Sequence, residues 1–100
     1  MNKPWPFRDA ENTAVFTSKR IVDGRDWIHY VTHDAEDGAW QFHPYGGPTP
    51  VDEAAVIGLR TVLSLDDSLR ELADLPCGWH AWRQSESSAW TRAPMKLKSR

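Results

Sequence analysis

Gly38-Ala39-Trp40-Gln41-Phe42-His43 decides the fold. The stretch leaves an Asp37-Gly38 turn pair and alternates as a strand does. Trp40 and Phe42 fall on one face, Gln41 and His43 on the other. Two large aromatics two residues apart supply much of the area a small sheet can bury. The remaining segments pair with this strand or cover it.

Toward the N-terminus, Asp34-Ala35-Glu36-Asp37-Gly38 is an acidic, glycine-closed turn. Asp26 to His33 precedes it as a second strand. Strict alternation puts Trp27, His29, Val31 and His33 on one side and Ile28, Tyr30 and Thr32 on the other. Asp23-Gly24 has hairpin chemistry, because both residues tolerate positive φ. It joins this strand to a first one at Thr13 to Ser18, which is β-branched and aromatic. Lys19 to Val22 continue that strand or form its exit. Residues 13–43 therefore read as a three-stranded antiparallel meander.

Toward the C-terminus, Pro44 to Pro50 holds three prolines and two glycines and redirects the chain. Ala54 to Ile57 reads as extended. Leu59, Val62 and Leu63 have i, i+3, i+4 spacing, which predicts a helix over 59–65. Ser68 and Glu71 have capping-box spacing for a second short helix that buries Leu69, Leu72 and Ala73. Leu75-Pro76-Cys77-Gly78 stops it. Trp79 to Gln84 is the last strand, with Trp79, Ala81 and Arg83 alternating with His80, Trp82 and Gln84. The fold class is α+β: an antiparallel sheet of about four strands, the meander 13–43 plus 79–84, with two short helices on one face. Residues 1–12 form an irregular lead-in whose Trp5 and Phe7 pack on the domain. Residues 13–92 form the domain, and 93–100 form a basic flexible tail.

One hundred residues make one domain with a modest core. A formal charge of −2 argues against a general nucleic-acid binder and leaves a basic protein open as a partner. The single cysteine, Cys77, cannot form an internal disulfide, which points to the cytoplasm. It reads as structural, since no organised base accompanies it. The first seven residues lack the apolar run of a signal peptide, and no window approaches a membrane span.

Four histidines raise a metal question. His29 and His33 share a strand face but stand roughly 13 Å apart along it, too far for one ion. A site would need a cross-strand pairing of His29 or His33 with His43. Asp34, Glu36 and Asp37 lack the ligand spacing of a calcium loop. No nucleophile elbow or phosphate loop occurs. Asp52-Glu53 and Asp66-Asp67 suit helix N-termini. No catalytic residue and no cofactor are assigned. The surface reading is a contact patch of Trp27, Tyr45 and Trp82 rimmed by Asp34, Glu36 and Asp37. Aromatic anchors of this kind suit protein contacts, and six Trp is a heavy load for this length, filling a small core or lining such a surface.

Several segments together resemble a known group. They are Val15-Phe16-Thr17-Ser18, His29-Tyr30-Val31, Asp37-Gly38-Ala39-Trp40-Gln41-Phe42, Leu65-Asp66-Asp67-Ser68-Leu69, Leu75-Pro76-Cys77-Gly78-Trp79-His80-Ala81-Trp82-Arg83, and a late Trp90. Over residues 13–92 the chain resembles small bacterial proteins of unknown function grouped with immunity proteins of polymorphic toxin systems. The resemblance implies a protein partner such as a toxin, and it brings no catalytic residue. The functional expectation is a cytoplasmic, non-enzymatic protein-binding module. The alternative is a small metal-dependent enzyme or metal-binding module using His29, His33 and His43. A homodimer without a toxin partner is the third expectation.

Overall fold

The computed structural model describes residues 4–47 and 49–95. Six strands form one mixed sheet: β1 (Ala14–Ser18), β2 (Ile28–His33), β3 (Trp40–Pro44), β4 (Ala54–Gly58), β5 (Trp79–Trp82) and β6 (Thr91–Pro94). Their spatial order is β4-β1-β3-β2-β5-β6. The α+β class is as expected, but four antiparallel strands understate the sheet.

Residues 13–43 are not a meander. β1 pairs with β3 in parallel and with β4 antiparallel, while β2 pairs with β3 and β5. Asp23-Gly24 therefore closes no hairpin. Lys19 to Val22 instead form a helical turn, α1, started by the Ser18 hydroxyl, which accepts from the Arg20 N–H. The turn buries Ile21, and Gly24 leaves it with φ at +77°. A local apolar gain at Ile21 thus carries the chain away from β1, and β3 takes the vacated position. β2 does run opposite to β1, but with β3 between them.

Trp40 and Phe42 lie on the covered face as expected, 2% and 0% exposed. Val15, Ile28, Val31 and Ala81 join them from the sheet. The pairing register shifts between Ile28 and Tyr30, so strict alternation fails there and Ile28 enters the core beside Val31. Helix α2 (Leu59–Leu65) and a 3₁₀ segment (Asp67–Leu72) close this face with Leu59, Val62, Leu63, Leu69 and Leu72. Asp66, rather than Ser68, caps the 3₁₀ segment, its carboxylate accepting from the Ser68 N–H. Phe7 is buried against Trp40 edge to face, so the lead-in supplies core, and Trp5 packs partly on it. Ala93 and Pro94, read as the start of a tail, belong to β6. Residues 96–100 lie outside the described residues.

Arg83 is 2% exposed. A buried guanidinium is tolerated only when its donors are matched. Its Nε donates to Ile28 O at 2.8 Å, one terminal nitrogen to Ser68 Oγ and Glu86 O, and the other to Asp66 Oδ2 at 2.5 Å. Trp90 lies over its carbon at 4.2 Å and donates its own N–H to Ser68 Oγ.

Removing the Asp66 carboxylate leaves that cation buried with a partner missing. Asp66→Ala should cost about 3 kcal/mol. Glu11→Ala, which breaks an exposed pair with Arg60, should cost under about 0.5 kcal/mol. Urea unfolding of the two variants beside the parent measures both.

Candidate functional site

A groove of about 720 Å³ opens where β2 ends, β3 begins and the chain turns into β5. Buried Trp40 and Leu75 are among its lining residues, with Pro6 and Pro76 beside them. Arg8, Asp9, Asp37 and Asp74 supply its charge. Trp40 donates its indole N–H to Asp9 at 2.8 Å, and the Asp37 carboxylate accepts from the Ala39 N–H. Arg92 donates to the exposed Asp74 carboxylate and holds its pKa below the ordinary value, first by that hydrogen bond and then by its charge.

Cys77 and His33 meet in this groove. The Cys77 Sγ stands 3.6 Å from His33 Nε2, and His33 Nδ1 is 2.7 Å from Leu75 O. A carbonyl can only accept, so the proton sits on Nδ1 and the Nε2 lone pair faces the thiol. The imidazole lies flat on Trp40, with centroids 3.9 Å apart and planes at 13°. Gly78, at φ +86°, makes the turn possible, and its N–H donates to His33 O at 2.6 Å. A thiol, a base and a group that orients the base are the parts of an activated nucleophile. This corrects the reading of Cys77 as a cysteine without an organised base. The contact joins positions 44 residues apart, and only the β2–β5 register creates it.

The other expected site residues fall into separate places. Trp27 and Tyr45 stack at 6.3 Å, and His29 meets both edge-on. Asp34, Glu36 and Asp37 occupy the β2–β3 turn at the opposite end of β2, roughly 20 Å away by strand rise. Of these three acids, Asp37 reaches the groove. Trp82 lies with His80 on the other sheet face, as expected from an inward Trp79. The contact patch read from the sequence is therefore not one surface. The three histidines of the metal alternative are held apart: His29 by Arg83 O, His33 by Leu75 O, His43 by Thr49 and Gln41. Among the described residues no group of three or more His, Cys, Asp or Glu is placed to hold a metal ion.

That outer sheet face carries a second polar arrangement. Gln41 donates to Asp34 at 2.7 Å, so its amide oxygen is free to accept from His43 Nε2–H at 2.9 Å. His43 Nδ1 then accepts the Thr49 hydroxyl at 2.9 Å. Burial lowers the His43 pKa below 6.5, outweighing the opposing charge of Asp34. Tyr30, hydrogen-bonded to His80 at 2.7 Å, has its pKa raised, by burial first and by Asp34 second. Tyr30, Gln41, His43 and Thr49 border, with Pro44 and Gly47, a hollow of about 430 Å³.

No protein-family model, no curated protein and no solved structure matches the chain. Among the described residues no helix is long and apolar enough to cross a membrane.

Two predictions follow from these groups. Alkylation of Cys77 by iodoacetamide at pH 7 should slow by about tenfold in His33→Gln, because the Nε2 acceptor 3.6 Å from Sγ is lost. Mass spectrometry reads the rate directly, since the chain has no other thiol. His43 binds its proton more weakly folded than unfolded. Its contribution to stability is therefore complete above about pH 6.5 and falls as pH drops through that value toward the folded pKa. Urea midpoints measured from pH 7 to 5 should decline less steeply in His43→Gln than in the parent.

Proposed function

We propose that the chain is a non-enzymatic protein-binding module whose groove takes a basic segment of a partner. The observation that supports this is the make-up of the groove: a buried indole and a buried leucine beside three carboxylates, Asp9, Asp37 and Asp74, against Arg8 in the lining and Arg92, which pairs with Asp74. An apolar floor with acidic groups fits the stem and head of a lysine or arginine side chain. Charge over the whole chain points the same way. The full chain carries fourteen acids against twelve bases, a formal net of −2, which leans toward a basic partner.

The resemblance to immunity proteins gives this reading a biological form: a cytoplasmic protein that binds a toxin and occludes it. A second reading, a thiol-dependent enzyme, is favoured by the Cys77–His33 contact and needs no metal.

A photo-crosslinker attached to Cys77 tests the first reading in lysate of the source organism. It should recover one basic protein in stoichiometric amount, and Asp37→Asn with Asp74→Asn should lower the yield by about tenfold. Absence of a stoichiometric partner, or capture indifferent to both substitutions, contradicts it. Hydrolysis of a thioester probe that stops in Cys77→Ser would favour the second reading.

A further inference from the structure

Cys77 sits at the corner of a tight turn, Pro76-Cys77-Gly78-Trp79, closed by the Trp79 N–H donating to Pro76 O at 3.1 Å. Gly78, at φ +86°, takes the turn position that requires a positive φ. The turn is tied from both sides. Gly78 donates its N–H to His33 O in β2, and its carbonyl accepts at 2.8 Å from the Met95 N–H just after β6. The thiol is therefore exposed but carried on a fixed backbone. Its neighbour is equally fixed. His33 presents Nε2 at 3.6 Å from Sγ, its Nδ1–H is committed to Leu75 O, and its ring rests on Trp40. A positive charge formed on that imidazole lies over the indole face, which attracts cations. Beside the thiol the groove of about 720 Å³ gives room for a small molecule. No other cysteine occurs in the chain.

We propose that Cys77 is a modification site, at which the thiol takes up a low-molecular-weight disulfide and holds half of it in the groove as a mixed disulfide. Sγ attacks one sulfur of the reagent, and the new S–S bond forms as the reagent's own S–S bond breaks. The thiol proton passes to His33 Nε2 and from there to the departing thiolate, so one small thiol is released. Cys77 is oxidised, and the reagent supplies the oxidising equivalent. Where a resolving thiol stands nearby, such an adduct is an intermediate that is displaced from within. With one cysteine in the chain, no thiol of the same molecule can displace it, and the adduct stays until an external thiol removes it. The step differs from acyl transfer, because it asks for no group to stabilise an oxyanion. It also needs no partner protein, so it stands or falls apart from the binding role proposed above.

The test uses the full chain and an uncharged reagent, 2-hydroxyethyl disulfide, with the adduct read by intact-mass spectrometry at pH 7. Folding ordinarily hinders access to a thiol, so a thiol that reacts faster when folded is assisted by its surroundings. The folded chain should react about fivefold faster, or more, than the same chain in denaturing urea, because only folding sets His33 beside Cys77. His33→Gln, checked for folding by circular dichroism, should lose that advantage while matching the parent in urea. Excess external thiol should return the adduct to the parent mass. A folded rate equal to or below the rate in urea overturns the proposal, and that comparison needs no variant. A folded His33→Gln that keeps the parent's rate overturns it too, as does an adduct that is lost without added thiol.

Discussion

The guanidinium of Arg83 is the constraint that the rest of this small fold satisfies. A buried cation must have its donors matched, and these donors reach three separate parts of the chain: Ile28 at the start of β2, Asp66 and Ser68 at the start of the 3₁₀ segment, and Glu86 in the turn after β5. Trp90 covers it and shares Ser68. Elements distant in sequence are fixed together by one side chain whose hydrogen bonds are directional. The covered face needs such a tie. Helix α2 and the 3₁₀ segment are short, and neither would hold its helical form without tertiary contacts.

Trp40 plays the matching part at the other end of the covered face. It is buried, stacks on Phe42 and meets Phe7 edge-on. It also anchors Asp9 by its N–H and carries the His33 ring flat on its own. The residue that fills the core therefore also lines the groove. The imidazole that faces Cys77 is fixed by an indole on one side and the Leu75 carbonyl at its edge. Preorganisation of this kind costs little at the moment of binding, because the side chains are already ordered by folding.

Much of the secondary structure was legible in the sequence, and the topology was not. Periodicity locates β1, β2, β3, β5 and α2 because each presents apolar residues at the spacing its own conformation requires. β6 was missed because Thr91-Arg92-Ala93-Pro94 has no apolar alternation, being an edge strand held by pairing with β5. The pairing of β1 with β3 was hidden by Asp23-Gly24, whose turn chemistry serves a helical exit as well as a hairpin. The faces of β2 were misassigned at Ile28 because a register shift has no signature in the pattern. For the site, local sequence marks Asp37 as a turn acid and His33 as a strand histidine, and sets no base beside Cys77. Their meeting depends on which strand lies next to β2, which local sequence does not carry.

The Nε–H of Arg83 offers the most direct test of the central claim. In a ¹⁵N-resolved NMR spectrum of the folded protein, a matched and buried guanidinium gives one separate Nε–H signal, protected from solvent exchange and close to the amide protons around Ile28. That is the expected result. An Arg83 signal that exchanges as fast as those of exposed Arg25 and Arg60 would contradict it, because the three parts of the chain would then have no common tie.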